Sequence, residues 1–179
     1  KVALPIKSID EKNVVIYLGT FSKALFPGLR IGWIAADKDF ILRITAIKRF
    51  CDLTSSCLAQ TAMYHFCKEG YYDKHLKRLH RIFRRRMQVT LKTMKECLPT
   101  SVSWTRPVGG YTLWVRMPKK LSEAELHEFL APHGVIVSPG AYYFPKHGRS
   151  EYFRICIAQL NEEEIGEGIR RLGKALRQF

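Results

Sequence analysis

What this 179-residue sequence lacks narrows its class first. No apolar run is long enough to span a bilayer. The start, Lys1-Val2-Ala3-Leu4-Pro5-Ile6, has no long apolar core of the kind a signal peptide needs. Acidic side chains are scarce: 16 Asp and Glu stand against 30 Lys and Arg, a formal net charge of +14. The five cysteines, Cys51, Cys57, Cys67, Cys97 and Cys156, are odd in number and show no metal-type pairing. His75 and His80 lie five apart, off a shared helix face, so no metal site is expected. Repeats and low-complexity tracts are absent. These gaps predict a soluble cytoplasmic protein whose thiols stay reduced in apolar surroundings.

A hydrophobic share of 46% is enough for a real core in one domain or two small ones. The excess positive charge concentrates in Lys74, Lys77, Arg78, Arg81, Arg84, Arg85 and Arg86. Such a run fits a nucleic-acid surface, but the solvated face of a long helix is the commoner case. Phe83 is the only Phe, Tyr or Trp inside it, which gives little for single-strand stacking.

The chain is expected to alternate strands and helices. Residues 1–12 form a polar lead-in. Val14 to Leu18 reads as a strand buried on both faces, and Leu29 to Ala36 as another. Asp37 or Asp39 caps a helix running to about Phe50, with Phe40, Ile41, Ile44 and Ile47 on one face. Thr54 to Lys68 is a second helix, apolar at Leu58, Ala62, His65 and Phe66 and ended by Gly70. Tyr71 to Cys97 is a long helix stopped by Pro99, its stripe running from Leu76 to Met94. Val102 to Trp104, Tyr111 to Met117, Val135 to Val137 and Tyr152 to Ala158 are short strands. Ser122, with Glu125 as capping-box partner, opens a helix to Leu130. Pro139-Gly140 opens a loop through Gly148, and Asn161 caps the last helix. A boundary near Pro99 separates residues 1–98 from 99–179.

Chemistry concentrates where the first strand ends, in Gly19-Thr20-Phe21-Ser22-Lys23-Ala24-Leu25-Phe26-Pro27-Gly28-Leu29-Arg30. A lysine amine attacks an aldehyde when desolvation or a nearby cation lowers its pKa. Hydroxyls donate to phosphate oxygens, and arginine grips them with a planar fork. Lys23 is thus the candidate nucleophile, and Thr20, Ser22 and Arg30 are candidate phosphate holders. A strand-end lysine in solvent beside one snorkelling arginine would be the plain alternative.

Arg154 is a second candidate. In Tyr152-Phe153-Arg154-Ile155-Cys156-Ile157-Ala158, alternation puts Phe153, Ile155 and Ile157 on one face and Arg154 on the other. An arginine in a short apolar strand is usually partnered. The partner is either a ligand or a glutamate of the last helix: Glu163, Glu164 or Glu167.

The Lys23 segment closely resembles the cofactor-lysine segment of fold-type I pyridoxal-phosphate enzymes, the aminotransferase class I/II group. That segment runs hydroxyl-x-Ser-Lys, then Pro-Gly-Leu-Arg-x-Gly. The resemblance implies that Lys23 is the Schiff-base lysine, the catalytic residue. It implies that Thr20, Ser22 and Arg30 contact the phosphate of pyridoxal 5'-phosphate. It extends to Arg154-x-x-x-Ala158, where the arginine clamps the carboxylate of an amino acid or 2-oxo acid. It also takes in Pro107-x-Gly109-Gly110-Tyr111-x-Leu113-Trp114, and Gly134 to Gly140 beyond. Gly109 and Gly110 serve the turn. Tyr111, Tyr142, Tyr143 and Phe144 either line a side-chain pocket or pack the loops.

The fold implied is α/β with an α+β small domain. Residues 1–98 give two strands of the large-domain sheet and the long linking helix. Residues 99–179 give a small domain with an antiparallel sheet and helices. Only the second half of the family's pattern is matched. The resemblance therefore implies a fragment of a larger, homodimeric protein, inactive without the rest. Two kinds of parent fit. One is an aminotransferase, as in the aminoadipate type. The other is a MocR-type regulator of the GntR family. There an upstream winged helix binds DNA, and the aminotransferase-like domain senses an effector. Asp52 to Gln60, Gly70 to Arg78 and Arg84-Arg85-Arg86-Met87 resemble the regulators, and aminoadipate-type enzymes share most of these residues.

Overall fold

The computed structural model describes residues 4–145 and 148–179, which divide into two units, Lys1–Lys77 and Arg78–Phe179. The expected lead-in at residues 1–3 and the middle of the loop at 146–147 lie outside the described residues. Among the described residues, no helix is long and apolar enough to cross a membrane.

Asp10 shapes the start of the first unit. Its carboxylate accepts from the Lys7 ammonium at 2.8 Å and from the backbone N–H groups of Val14 and Val15 at 3.1 and 2.9 Å. Those two amides are thereby used in a turn, so the first strand begins late. It runs Tyr17–Thr20 (β1) rather than Val14 to Leu18. A 3-10 turn at Pro27–Leu29 delays the second strand likewise, to Gly32–Ala35 (β2). The two pair antiparallel, from Tyr17 opposite Ala35 to Thr20 opposite Gly32. Burial on both faces is not found. Leu18 is 68% exposed and β2 is exposed throughout, because a two-stranded ribbon has little to pack against.

Asp37 caps helix α1 (Lys38–Asp52), accepting from the Asp39 amide. Leu53 then takes a positive φ of 56°, and Thr54 N–H turns back to the Asp52 carbonyl. The next helix, α2 (Cys57–Lys68), therefore starts from Ser56 as cap rather than at Thr54. Its inward side is Met63 and Phe66. Leu58, Ala62 and His65, expected there, are exposed. Ile47 of α1 is exposed too. With so little buried, Cys51, Cys57 and Cys67 lie open to solvent instead of in a core, and so does Cys156 at the end of its strand. Only Cys97 is partly covered.

Helix α3 spans Tyr71–Cys97 as its apolar stripe predicts. Met87 and Met94 sink into the core of the second unit, with Thr90 answering the Arg86 carbonyl at 2.7 Å. Four strands follow: β3 (Ser103–Trp104), β4 (Thr112–Leu121), β5 (Ser138–Pro139) and β6 (Ser150–Cys156). They form one antiparallel sheet in the order β3-β4-β6-β5. Leu113, Val115 and Met117 of β4 and Phe153 of β6 point into the core. β4 runs past Pro118 because the register shifts between Arg116 and Leu121, so proline disturbs no ladder bond there. The strand expected at Val135 to Val137 forms instead at Ser138–Pro139, where Ser138 meets Arg154.

Helix α4 (Glu123–Leu130) opens with the Ser122–Glu125 capping box. Helix α5 (Glu162–Leu176) opens with a second box, between Asn161 and Glu164. α5 covers the sheet with Ile165, Ile169, Leu172 and Leu176. Gly173 lets α5 approach the end of α3, since a Cβ there would stand 2.5 Å from the Cys97 carbonyl oxygen.

Candidate functional site

The two groups of candidate residues fall in different units. In the first unit, the loop from β1 to β2 carries Ser22, Lys23 and Arg30, with Thr20 at its neck. Phe21 N–H donates to the Ile31 carbonyl at 3.1 Å and closes that neck. Thr20 Oγ1 accepts from Ser22 N–H at 3.1 Å, a hydroxyl turn that folds Ser22 back beside it. Ala24 and Leu25 N–H both reach the Phe21 carbonyl at 3.1 and 2.8 Å. Lys23 sits at the tip of this turn with its side chain exposed. His75 anchors the turn from α3, with Nε2 2.7 Å from the Ala24 carbonyl.

Packing fixes the loop as well. The Phe21 ring lies 4.9 Å from that of Trp33 and 5.4 Å from that of Tyr72. Burial pushes the Tyr72 phenol above its ordinary pKa. Gly19 is required opposite Trp33, because a Cβ there would overlap the indole. Arg30 is held at φ 51°, a left-handed conformation costly for a residue with a Cβ, as are Asn13 and Leu53 elsewhere in the unit. The stretch Thr20 to Arg30 contains no carboxylate. One amine, two hydroxyls and one guanidinium on such a loop fit a phosphate ester that also bears an electrophilic carbonyl.

In the second unit, β6 places Arg154 between Trp114 of β4 and Ser138 of β5. Phe153 and Ile157 face the core, and Arg154 lies on the opposite face, half-buried, as the alternation requires. The expected alternative, an ion pair to the last helix, does not form among the described residues. Glu167 binds Arg170 and Arg171 at 3.2 and 2.8 Å, and Glu164 closes its capping box. Hydrogen bonds from Arg171 and Arg170 hold the Glu167 carboxyl below its usual range. Arg154 instead places its guanidinium carbon 4.8 Å from the centre of the Tyr143 ring. Its Nε is buried without a hydrogen-bond partner among the described residues. A cavity of about 300 Å³ lies alongside, bordered by Ile136, Arg154, Leu160 and Glu164.

The four aromatic candidates separate by contact. Tyr111 packs on Phe83, and its carbonyl accepts from Ile157 N–H at 2.9 Å. Tyr142 donates its hydroxyl to Glu123. Phe144 packs on Trp114 and Tyr152. Only Tyr143 meets Arg154. Sequence reasoning placed Arg86 in the solvated basic run and missed its role. Its guanidinium turns inward and donates to the Ile157 and Ala158 carbonyls, tying down the chain just past β6, three and four residues beyond Arg154. The remaining cations of the run, Lys74, Lys77, Arg78, Arg81, Arg84 and Arg85, are exposed. Its neighbours Arg84 and Arg85 are exposed, and no feature of the sequence separates Arg86 from them.

Comparison with known proteins identifies the family and the fold. Residues 3–172 match the family model described as aminotransferase class I and II. The chain is 36% identical over 97% of its length to an aromatic-amino-acid aminotransferase of Thermococcus litoralis, covering 42% of that protein. It is 30% identical over 98% of its length to a helix-turn-helix-type transcriptional regulator of Bacillus subtilis, covering 36% of it. The fold superposes with a TM-score of 0.92 on a multiple-substrate aminotransferase from Thermococcus profundus, at 33% identity, over 97% of this chain and 43% of that one. The chain thus spans about two-fifths of the length of the relatives it matches. It has the partial fold of a pyridoxal-phosphate-dependent transferase, and it belongs to the class I and II aminotransferase family.

Proposed function

We propose that this chain is the C-terminal part of a protein that transfers an amino group between an amino acid and a 2-oxo acid, using pyridoxal 5'-phosphate. On this reading residues 1–98 are the end of the cofactor-binding large domain with its linking helix, and residues 99–179 are the small domain. The observation that carries the reading is the carboxylate-free loop that presents Lys23 together with Thr20, Ser22 and Arg30.

When bound, pyridoxal phosphate supplies an aldehyde that condenses with amines and a ring that accepts electrons from the α-carbon. Thr20, Ser22 and Arg30 hold its phosphate. Lys23 would hold its aldehyde carbon and, when its amine is free, would serve as the general base and acid for the proton at the substrate α-carbon. Arg154 grips the substrate carboxylate with two parallel N–H donors, which fixes the orientation of the α-carbon. The protein works as a cytoplasmic homodimer.

The regulator relatives favour a second reading, in which the same residues bind the cofactor and an amino effector without turnover, and DNA is contacted through an upstream winged-helix domain. The length-complete protein distinguishes the two. Mixed with an amino acid and a 2-oxo acid, an enzyme gives multiple turnovers of the paired products. A sensor gives at most a stoichiometric spectral change. Lys23→Ala removes both responses if the loop is the cofactor site, and an unchanged response in that variant overturns it.

A further inference from the structure

We propose that Tyr143 is the positioning residue for Arg154: its ring carries the guanidinium and keeps the edge donors free for a carboxylate. The inference rests on Arg154 as the carboxylate clamp and assigns what holds that clamp in place.

An arginine of this exposure is ordinarily fixed by hydrogen bonds to carbonyls or carboxylates, as Arg86 is in the same unit. Arg154 has none of that support at Nε, which is buried and unpartnered among the described residues. The contact it does have is the face of the Tyr143 ring, 4.8 Å from the guanidinium carbon. A ring face attracts the cation through its quadrupole and takes up none of its N–H donors. The ring also removes water from one side of the guanidinium, which strengthens a charge-assisted bond to a carboxylate. A carboxylate partner from the protein would have occupied the fork. An aromatic partner leaves it available.

Tyr143 is itself held in place. Trp114, the register partner of Arg154 on β4, packs edge-on against it at 5.2 Å and 85°. Trp114 in turn is braced by Tyr152 at 6.1 Å and Phe144 at 6.3 Å. Behind Tyr143 the chain makes a 3-10 turn, Gly140–Tyr143, directly after β5. Gly140 is buried, and a Cβ there would overlap the Tyr152 carbonyl and stand 2.7 Å from Ser150 Oγ. The turn therefore lies tight on β6, and this sets where the Tyr143 ring emerges. Nothing here uses the Tyr143 hydroxyl. The ring face carries the effect, so phenylalanine replaces tyrosine and an aliphatic residue does not.

The test is NMR on the 15N-labelled chain, observing the arginine side-chain Nε–Hε signals and assigning that of Arg154 with Arg154→Lys. The wild-type Arg154 signal is displaced by the ring current of Tyr143. On titration with pyruvate it moves at lower concentration than the signals of exposed arginines such as Arg78 and Arg85. Tyr143→Phe keeps the ring-current displacement and the pyruvate affinity. Tyr143→Leu loses the displacement and weakens pyruvate binding at Arg154 about 3–10-fold. Tyr143→Met replaces the leucine variant if circular dichroism shows that variant unfolded. An Arg154 signal that tracks pyruvate no better than Arg78 overturns the clamp itself. A normal pyruvate response that is equal in wild type and Tyr143→Leu leaves the clamp standing and overturns the role of Tyr143.

Discussion

Between Arg78 and Phe179, Met94, Val115, Phe153 and Ala175 are fully withdrawn from water, whereas among the described residues up to Lys77 only Met63 is buried. Both stretches contain strands and capped helices, so local signals do not separate them. Closure does. In the second unit, α3, α4 and α5 pack with β4 and β6 of a four-stranded sheet into one core. In the first unit, a two-stranded ribbon and two helices leave Leu18, Phe50, Leu53 and Leu58 at 68%, 93%, 83% and 83% exposure. An apolar surface of that extent marks an interface rather than a finished exterior. This chain spans about two-fifths of the length of the relatives it matches.

The largest consequence is in local stability. Amide exchange in β4, β6 and α5 is expected to be slower than in β1, β2 and α1 by at least about 1000-fold, because core elements open only globally and uncovered ones open locally. Peptide-resolved hydrogen exchange of the chain measures this directly, and equal protection in the two sets would erase the contrast. Side-chain truncation sharpens it. Phe153→Ala removes a ring with no exposed surface and should cost about 3–5 kcal/mol in denaturant unfolding. Phe50→Ala, at 93% exposure, should stay within about 0.5 kcal/mol. Arg86→Met keeps the aliphatic stem but leaves the Ile157 and Ala158 carbonyls unanswered, an expected cost of about 1–3 kcal/mol read by the same melts.

The smallest effect is one of pH, at Asp10 in the first unit. Lys7, Val15 and Val14 donate to the ionised Asp10 carboxylate and hold its pKa at about 2, below the ordinary 3.8. A depressed carboxyl contributes stability above its unfolded pKa and loses it as pH falls through the folded value. The turn at Val14 and Val15 should therefore loosen between about pH 4 and pH 2, seen as movement of those two amide resonances. Asp10→Asn should remove most of that dependence.

The same contrast decides how much of the molecule the sequence revealed. Where a cap or a long stripe sets an element, its bounds were legible: α3 runs Tyr71–Cys97 as expected, and Ser122 and Asn161 both start helices with complete capping boxes. Where a tertiary bond competes with local pattern, they were not. Val14 and Val15 have strand-forming side chains, yet their amides answer Asp10. Val135 is buried by packing rather than by strand pairing, so an apolar run there did not mean a strand. At the candidate sites, residue type and spacing are what propose Lys23, Arg30 and Arg154. Strand parity put Arg154 on the face opposite the core, and two of the three glutamates named as partners, Glu164 and Glu167, are engaged elsewhere. What could not be read was the support around it. Tyr143 and Trp114 are twenty-nine residues apart in sequence and meet only through sheet register and a turn that Gly140 permits.

The central claim is that Lys23 is the lysine that binds the cofactor. Incubating the length-complete protein with pyridoxal phosphate, reducing with borohydride, digesting and locating the added phosphopyridoxyl mass by tandem mass spectrometry tests it most directly. The account predicts one dominant site, Lys23, at near-stoichiometric yield, lost in Lys23→Ala with no compensating label elsewhere. Label spread over exposed lysines such as Lys74 and Lys77, or concentrated on a different lysine, would contradict it.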